Sequence, residues 1–442
     1  MRDRDPRQLT ARQADRIGAP LPHFFRRQIS ATLSGLTGLT GNARAILVTE
    51  PLWGVPYNLY STYTSVYMLA LGCSATQIGL LSSIGLVLAV GLSLAGGPIT
   101  DRLGRRRTTL LFDLLAWSMG TLLWAFSRSF GWFLAATIVS SFVRIVQTSW
   151  TCLMVEDTPQ EQRVHIYAWI YVVGVVAVLI APAAGLFVER FGLVPATRGL
   201  YLFAFVLMTG MFFLRNAMVQ ETRIGLQKMR ESRHTTLTAT LADFLRVTAR
   251  VARSRLTVIA FLVSTLVIIQ SVLRSTFLAL LLTQNLAFSN ASIALFPAVG
   301  AVATLAVYVF VLPSFSRTGP ATPLVAGLVA SIVGTLLLVL CPPHSYLIVI
   351  LSTILTAGGA AIVVPHSDTL VANAIPENDR SKALSVFYVL LYALSSPFGY
   401  IGGVLFARAG RLPFILATLV LGIALLLCLF IPRPRRTIAK KE

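Results

Sequence analysis

Gly97-Pro98-Ile99-Thr100-Asp101-Arg102-Leu103-Gly104-Arg105-Arg106-Arg107 puts five charged side chains into eleven residues, between apolar windows at about 76–97 and 108–126. Each window has about the 20 residues that a helix needs to cross the hydrocarbon core of a bilayer. A charged turn between two such windows is the bend of a helical hairpin at a membrane surface. The same alternation extends outward in both directions. The first six windows cover about 45–70, 76–97, 108–126, 132–154, 165–189 and 197–216, and the last six about 257–283, 291–313, 321–341, 345–371, 383–407 and 411–432. Gly, Ala and Ser are scattered through them, which suits close helix contact in lipid.

Composition agrees. Of 442 residues, 55% are hydrophobic and 12% charged, with a mean hydropathy of +0.75. A soluble domain carries about 25% charged residues, and disorder requires low hydrophobicity, so both are excluded. A membrane barrel would show alternating segments of about ten residues, which are missing. The expected fold is an all-α membrane protein of twelve transmembrane helices in two pseudo-symmetric six-helix bundles, 44–216 and 257–432. Three polar segments flank them: an N-terminal tail 1–43, a central linker 217–256 and a C-terminal tail 433–442. The N-terminal tail lacks the apolar core of a signal peptide. In the linker, Leu237, Leu241, Phe244, Leu245 and Val251 recur at helical spacing. They predict an amphipathic helix on the inner membrane surface, the alternative being an unstructured basic linker.

About thirty of the 37 Lys and Arg fall in the tails, the linker and the loops on one side, which makes that side cytoplasmic. Both termini are then cytoplasmic, in a cell-membrane protein. The net charge of +20 is expected to face anionic lipid headgroups rather than nucleic acid. Cys73, Cys152, Cys341 and Cys428 show no metal or redox spacing. Cys73 and Cys341 both fall near outer helix ends, which leaves a disulfide between them open. No cofactor or metal is expected.

The halves correspond. Pro159 and Arg163 open the fifth window as Pro376 and Arg380 open the eleventh, at an offset of 217, and Tyr171 and Gly185 match Tyr388 and Gly402 at the same offset. Duplicated six-helix halves place a binding site between them near mid-membrane.

The stretch from Gly97 resembles the loop 2–3 signature of the major facilitator superfamily, Gly-x-x-x-Asp-Arg-x-Gly-Arg-Arg, with every fixed position matched by Gly97, Asp101, Arg102, Gly104, Arg105 and Arg106. Gly97 is expected to allow close helix approach and Gly104 a tight turn. The resemblance implies that Asp101 and Arg105 act as gate residues holding the cytoplasmic ends of the halves together. The second-half equivalent, around Pro313–Gly319, lacks the acid. Arg144-Ile145-Val146-Gln147 is similar to the family's Arg-x-x-Gln-Gly element, with Thr148 for the glycine. Ala181–Gly185 keeps only Pro182 and Gly185 of the antiporter element, which weakens a drug/proton antiporter assignment.

Polar groups within spans are functional candidates by default. Tyr57, Tyr60, Tyr63 and Tyr67 share one helix stripe with Asn58 nearby. They form either a cavity wall or helix packing. The substrate-cavity candidates are Tyr57, Asn58, Tyr60, Arg144, Gln147, Gln270 and Arg274, the two arginines either binding an anionic group or pairing with carboxylates. Buried carboxylates and histidine can load and release protons, which nominates Glu50, His366 and Asp368 for proton coupling. The expected function is a monomeric secondary active transporter moving a small organic solute by alternating access with protons. The alternatives are a transport-inactive receptor on the same scaffold and a membrane-embedded enzyme, for which no catalytic motif is present.

Overall fold

The computed structural model describes residues 39–231, 255–317, 319, 321–374 and 380–430. The polar tails beyond these limits, the amphipathic stretch Leu237–Val251 and the Pro376 end of the repeat lie outside them. Regular structure among the described residues is helical throughout. Ten helices are long and apolar enough to cross a membrane: α2 (Ala75–Leu103), α3 (Arg105–Phe126), α4 (Phe130–Val155), α5 (His165–Phe191), α6 (Leu193–Met218), α7 (Thr257–Asn285), α8 (Ser292–Phe315), α9 (Ala321–Leu340), α10 (Tyr346–Thr369) and α11 (Phe387–Arg408). Two more complete the set of twelve. α1 is Gly41–Ser61 continued by Thr64–Ala70, and α12 is the 17-residue Leu412–Cys428. An even number of spans brings the start of α1 and the end of α12 to one face, the terminal face; the opposite face is the far face.

Local chemistry sets the ends. Ser74 and Gln77 form a reciprocal capping box that starts α2, with Gln77 N–H to Ser74 Oγ at 3.2 Å and Ser74 N–H to Gln77 Oε1 at 2.9 Å, satisfying two orphan donors. α2 then runs past the end of its apolar window to Leu103 and stops at Gly104, whose φ of +85° only glycine adopts without strain. α3 begins on the next residue. Gly192, at φ +82°, makes the same one-residue joint between α5 and α6. The motif is therefore the end of one helix and the start of the next, where the sequence suggests a loop: hydropathy marks the hydrocarbon, not the helix. α1 carries Pro51 and Pro56 inside its first segment and is interrupted further along, at Thr62–Tyr63.

The halves α1–α6 and α7–α12 meet along two seams, α2 with α11 and α5 with α8. At the first, a Cβ on Gly403 would sit 2.7 Å from the Ala75 carbonyl oxygen and one on Gly399 2.8 Å from that of Gly79. Ser83 Oγ accepts the Tyr400 N–H at 2.7 Å across the same seam. At the second, Gly185 packs on the backbone of Ala291. Gly402, the repeat partner of Gly185, instead packs on Leu273 and Phe277 within its own half, so the two seams do not place their small residues alike.

The apolar cores divide in the same way. Toward the far face one cluster runs through both halves, joining Tyr63, Tyr67 and Phe133 to Phe277, Phe288 and Phe406. Toward the terminal face each half keeps its own. Leu39, Ile46, Leu153 and Ile166 belong to one, and Ile259, Leu324, Phe387 and Leu421 to the other. The halves are fused at the far face and separately packed at the terminal face. Cys73 and Cys341 are both buried and free, so the disulfide left open by the sequence is not formed.

Candidate functional site

A cavity of about 310 Å³ opens at mid-depth between α7, α8 and α10, with Thr62 of α1 closing it from the other half. Its wall is mostly apolar, with Val267, Leu278, Phe296 and Val364 among the liners. The polar part consists of Gln270, Ser271, Arg274, Thr353 and Thr356, and no carboxylate lines it among the described residues. Gln270 and Arg274 lie one turn apart on α7, so both project to the same side. The Nη1 of Arg274 is buried and has no hydrogen-bond partner. The cavity is thus lopsided, because nearly all of it belongs to the second half.

Arg144 is placed differently. Its guanidinium lies 4.6 Å from the centroid of the Tyr392 ring in α11. Nη1 donates to Tyr392 Oη at 3.3 Å and to Gln147 Oε1 at 3.2 Å. Arg144, held by Gln147 of its own helix, therefore bridges the two halves, neither residue lines the cavity, and a cation–π contact stabilises the bridge. The tyrosine stripe is divided between several contacts within the first half. Tyr60 is buried against Tyr201, with ring centroids 4.5 Å apart. Tyr57 stacks on Trp53 at 5.0 Å and meets Trp117 edge-on at 5.7 Å. Tyr63 and Tyr67 are fully buried. Asn58 spends an amide N–H on the Gly54 carbonyl at 2.8 Å. None of Tyr57, Asn58 and Tyr60 lies on the cavity wall; the stripe spacing is shared by packing and lining, and here packing uses it.

The first half also contains a charge cluster that sequence inspection missed. Arg215 of α6 pairs with Asp113 of α3, and both are buried, at 4% and 1% exposure. From sequence Arg215 reads as the charged end of the sixth window, 197–216; in the structure it points back into the bundle, 4% exposed. Glu50 of α1 lies within electrostatic reach of both. Asp113 holds the guanidinium directly, and Glu50 feels the same charge at longer range. The other proton candidates are on α10. The His366 ring is held through Nδ1 on the Ile362 carbonyl at 2.8 Å, and Asp368 is exposed, within electrostatic reach of Tyr308 and Tyr388.

At the terminal face, Arg105 is 4% exposed and gathers two acids. Nη1 meets Asp101 Oδ1 at 3.0 Å, while Nε and Nη2 hold the Glu156 carboxylate at 3.0–3.1 Å. Glu221 caps the α3 N-terminus, accepting the Arg105 and Arg106 N–H groups at 2.9 and 3.0 Å, where a carboxylate also meets the helix dipole. Arg106 donates to the Asn216 carbonyl at 2.8 and 3.1 Å, and Thr222 donates to Glu156. These bonds of Arg105, Arg106 and Glu221 tie α2, α3, α4 and the end of α6 together within one half. Arg102 is exposed. Gly97 corrects its expectation: a Cβ there would meet nothing within 4 Å. The close approach is made by Gly96, whose Cβ position lies 2.9 Å from Thr148 Oγ1. Glu156 and Glu221 were legible only as unassigned acids at helix ends.

Two six-span halves, fused by their apolar core on one face and enclosing a cavity at mid-depth, define a membrane transport protein of the two-bundle kind. The sequence matches the Major Facilitator Superfamily over residues 53–399, and again over 261–442. The chain belongs to that superfamily. A search of curated protein sequences found no significant match. Solved structures share the fold. The human organic anion transporter MFSD10 (TETRAN) aligns at 18% identity over 87% of this chain and 99% of its own, with a TM-score of 0.59. A mutant of the nucleoside transporter NupG aligns at 14% identity over 88% and 98%, with a TM-score of 0.68. A POT family transporter in complex with 5-aminolevulinic acid aligns at 14% identity over 88% and 95%, with a TM-score of 0.66.

Proposed function

We propose that this protein is a secondary active transporter that moves a small organic solute across the cell membrane by alternating access, driven by protons. One observation carries the reading: the halves share an apolar core toward the far face and keep separate cores toward the terminal face. Two packed bodies joined at one end can rock about that join and expose a site between them to either side in turn. The basic loops and tails favour a cytoplasmic terminal face, and on this reading the halves part at the inner side. The solute sits in the cavity at Gln270 and Arg274, and Arg144 bridges the halves through Tyr392. When the protein turns outward, Asp101 and Arg105 close the cytoplasmic ends, and their present contacts within one half are the resting arrangement. Glu50 is the first choice for the proton carrier, because one guanidinium cannot neutralise two carboxylates and a proton balances the remainder. Asp368 and His366 are the second-half candidates.

Reconstitution into liposomes with an imposed pH gradient tests this. Solute-dependent proton flux that is lost in Glu50→Gln, with binding retained, is the expected result. Binding without any flux, in either direction of the gradient, identifies a transport-inactive receptor instead and overturns the proposal.

A further inference from the structure

The cavity contains a charge with nothing to balance it. Arg274 lies among apolar liners, its Nη1 buried without a partner, and no carboxylate lines the same space among the described residues. Guanidinium does not give up its proton in proteins, and burying an unpaired charge is costly. The other arginines at depth show what compensation looks like here: Arg215 has Asp113, and Arg144 has the Tyr392 ring and Gln147. Arg274 alone of these three is left open, and it is the one on the cavity wall.

We propose that the missing partner is the substrate, and that it is an amphipathic organic monoanion: one carboxylate or sulfonate head on an apolar body. This rests on the transporter reading above and narrows it to a substrate class. The head takes the guanidinium of Arg274, whose fork suits two-oxygen acceptors. The Gln270 amide, one turn away, and the hydroxyl of Thr353 are further donors in the same cavity, whereas the Thr356 hydroxyl already donates to the Ser352 carbonyl at 2.7 Å. The body lies against Val267, Phe296 and Val364. A volume of about 310 Å³ is at the small end of ligand pockets, so the solute is a small acid rather than a peptide or a nucleotide. A second acidic group would find no second cation on this wall, which selects one negative charge over two.

An anionic head in this position has two possible sources, a free organic acid and the headgroup of an acidic phospholipid. Thermal unfolding of the full chain in detergent separates them, with 4-phenylbutyrate and benzenesulfonate set against neutral 4-phenylbutanamide, and phosphatidylglycerol mixed micelles against phosphatidylcholine ones. The acids are expected to raise the melting temperature and the amide to leave it unchanged. Removing a charge-assisted hydrogen bond weakens binding about 10- to 150-fold, so Arg274→Met and Arg274→Gln need correspondingly more acid for the same rise in melting temperature. Arg274→Lys keeps the charge without the fork and retains a weakened response.

Arg274→Met is also expected to melt higher than the wild type when both are empty, because it removes an uncompensated buried charge; a purely structural arginine would have the opposite effect. Protection by phosphatidylglycerol that depends on Arg274 and resists displacement by the acids assigns the same chemistry to a lipid headgroup. Equal protection by the amide, a dose–response unshifted in Arg274→Met, or no Arg274-dependent response to any charged probe overturns the inference. Failure of the transporter reading looks different. Arg274-dependent binding without flux removes transport and leaves the anion site, whereas flux of a neutral solute indifferent to Arg274→Met removes the anion site and leaves transport.

Discussion

Replacing Asp113 by Asn tests how the first half handles buried charge. Asp113 and Arg215 are 1% and 4% exposed and tie α3 to α6. Removing one member of a buried pair costs about 3–5 kcal/mol, because the other charge is stranded. Here Glu50 stands within reach of Arg215 and can take over as counter-ion, which puts Asp113→Asn at the lower end, about 3 kcal/mol. Glu50→Gln leaves the pair intact and is expected to cost below about 1 kcal/mol. The double variant strands Arg215 completely, so its loss should exceed the sum of the two by about 1–3 kcal/mol. Replacing both members of the pair, Asp113→Leu with Arg215→Met, should return stability to within about 1 kcal/mol of the wild type or above it. Unfolding in mixed micelles followed by tryptophan fluorescence gives all four values. Additivity of Asp113→Asn and Glu50→Gln within about 0.5 kcal/mol would refute the reasoning, since the three groups would then not act as one cluster.

Other outcomes follow from the contacts between elements. Gly403→Val places side-chain atoms where a Cβ is already 2.7 Å from the Ala75 carbonyl. It should hold α2 and α11 apart, so that a cysteine introduced at Ser271 on the cavity wall reacts faster with an impermeant thiol reagent added from the far face; an unchanged rate counts against the seam as the seal. Glu221→Ala removes the cap on α3 and is expected to cost about 1 kcal/mol, read as a lower melting temperature with solute affinity preserved. Tyr392→Phe keeps the ring under Arg144 and loses only a hydrogen bond, about 1 kcal/mol, while Tyr392→Leu loses the cation–π contact as well. A difference between them in transport rate is expected; identical rates would remove Arg144 from the moving parts.

The spans were legible in the sequence because hydrocarbon imposes a length and a composition on every helix that crosses it. The motif was legible because its residues are contiguous. What stayed hidden depends on partners distant in the chain. Asp113 and Arg215 are 102 residues apart, and a hydropathy window can only treat Arg215 as the end of a span. The tyrosine spacing of α1 was legible, yet what the side chains meet (Tyr201 and Trp117 rather than open space) is a matter of packing. Arg274 was visible as a charge within a span, whereas its isolation depends on α8 and α10 bringing no acid to meet it. Gly97 shows a smaller failure: the pattern names the position, but the close approach belongs to its neighbour Gly96.

The joints at Gly104 and Gly192 leave no spare chain between the helices they connect. With a single residue at each corner, a turn of α2 about its own axis must drag α3, and α5 must drag α6, as rigid elbows transmit torque. Length can change elsewhere, in segments such as 286–291 and 341–345, but adding even one residue at either elbow would rotate the following helix by about 100° and carry its whole inward stripe to the lipid.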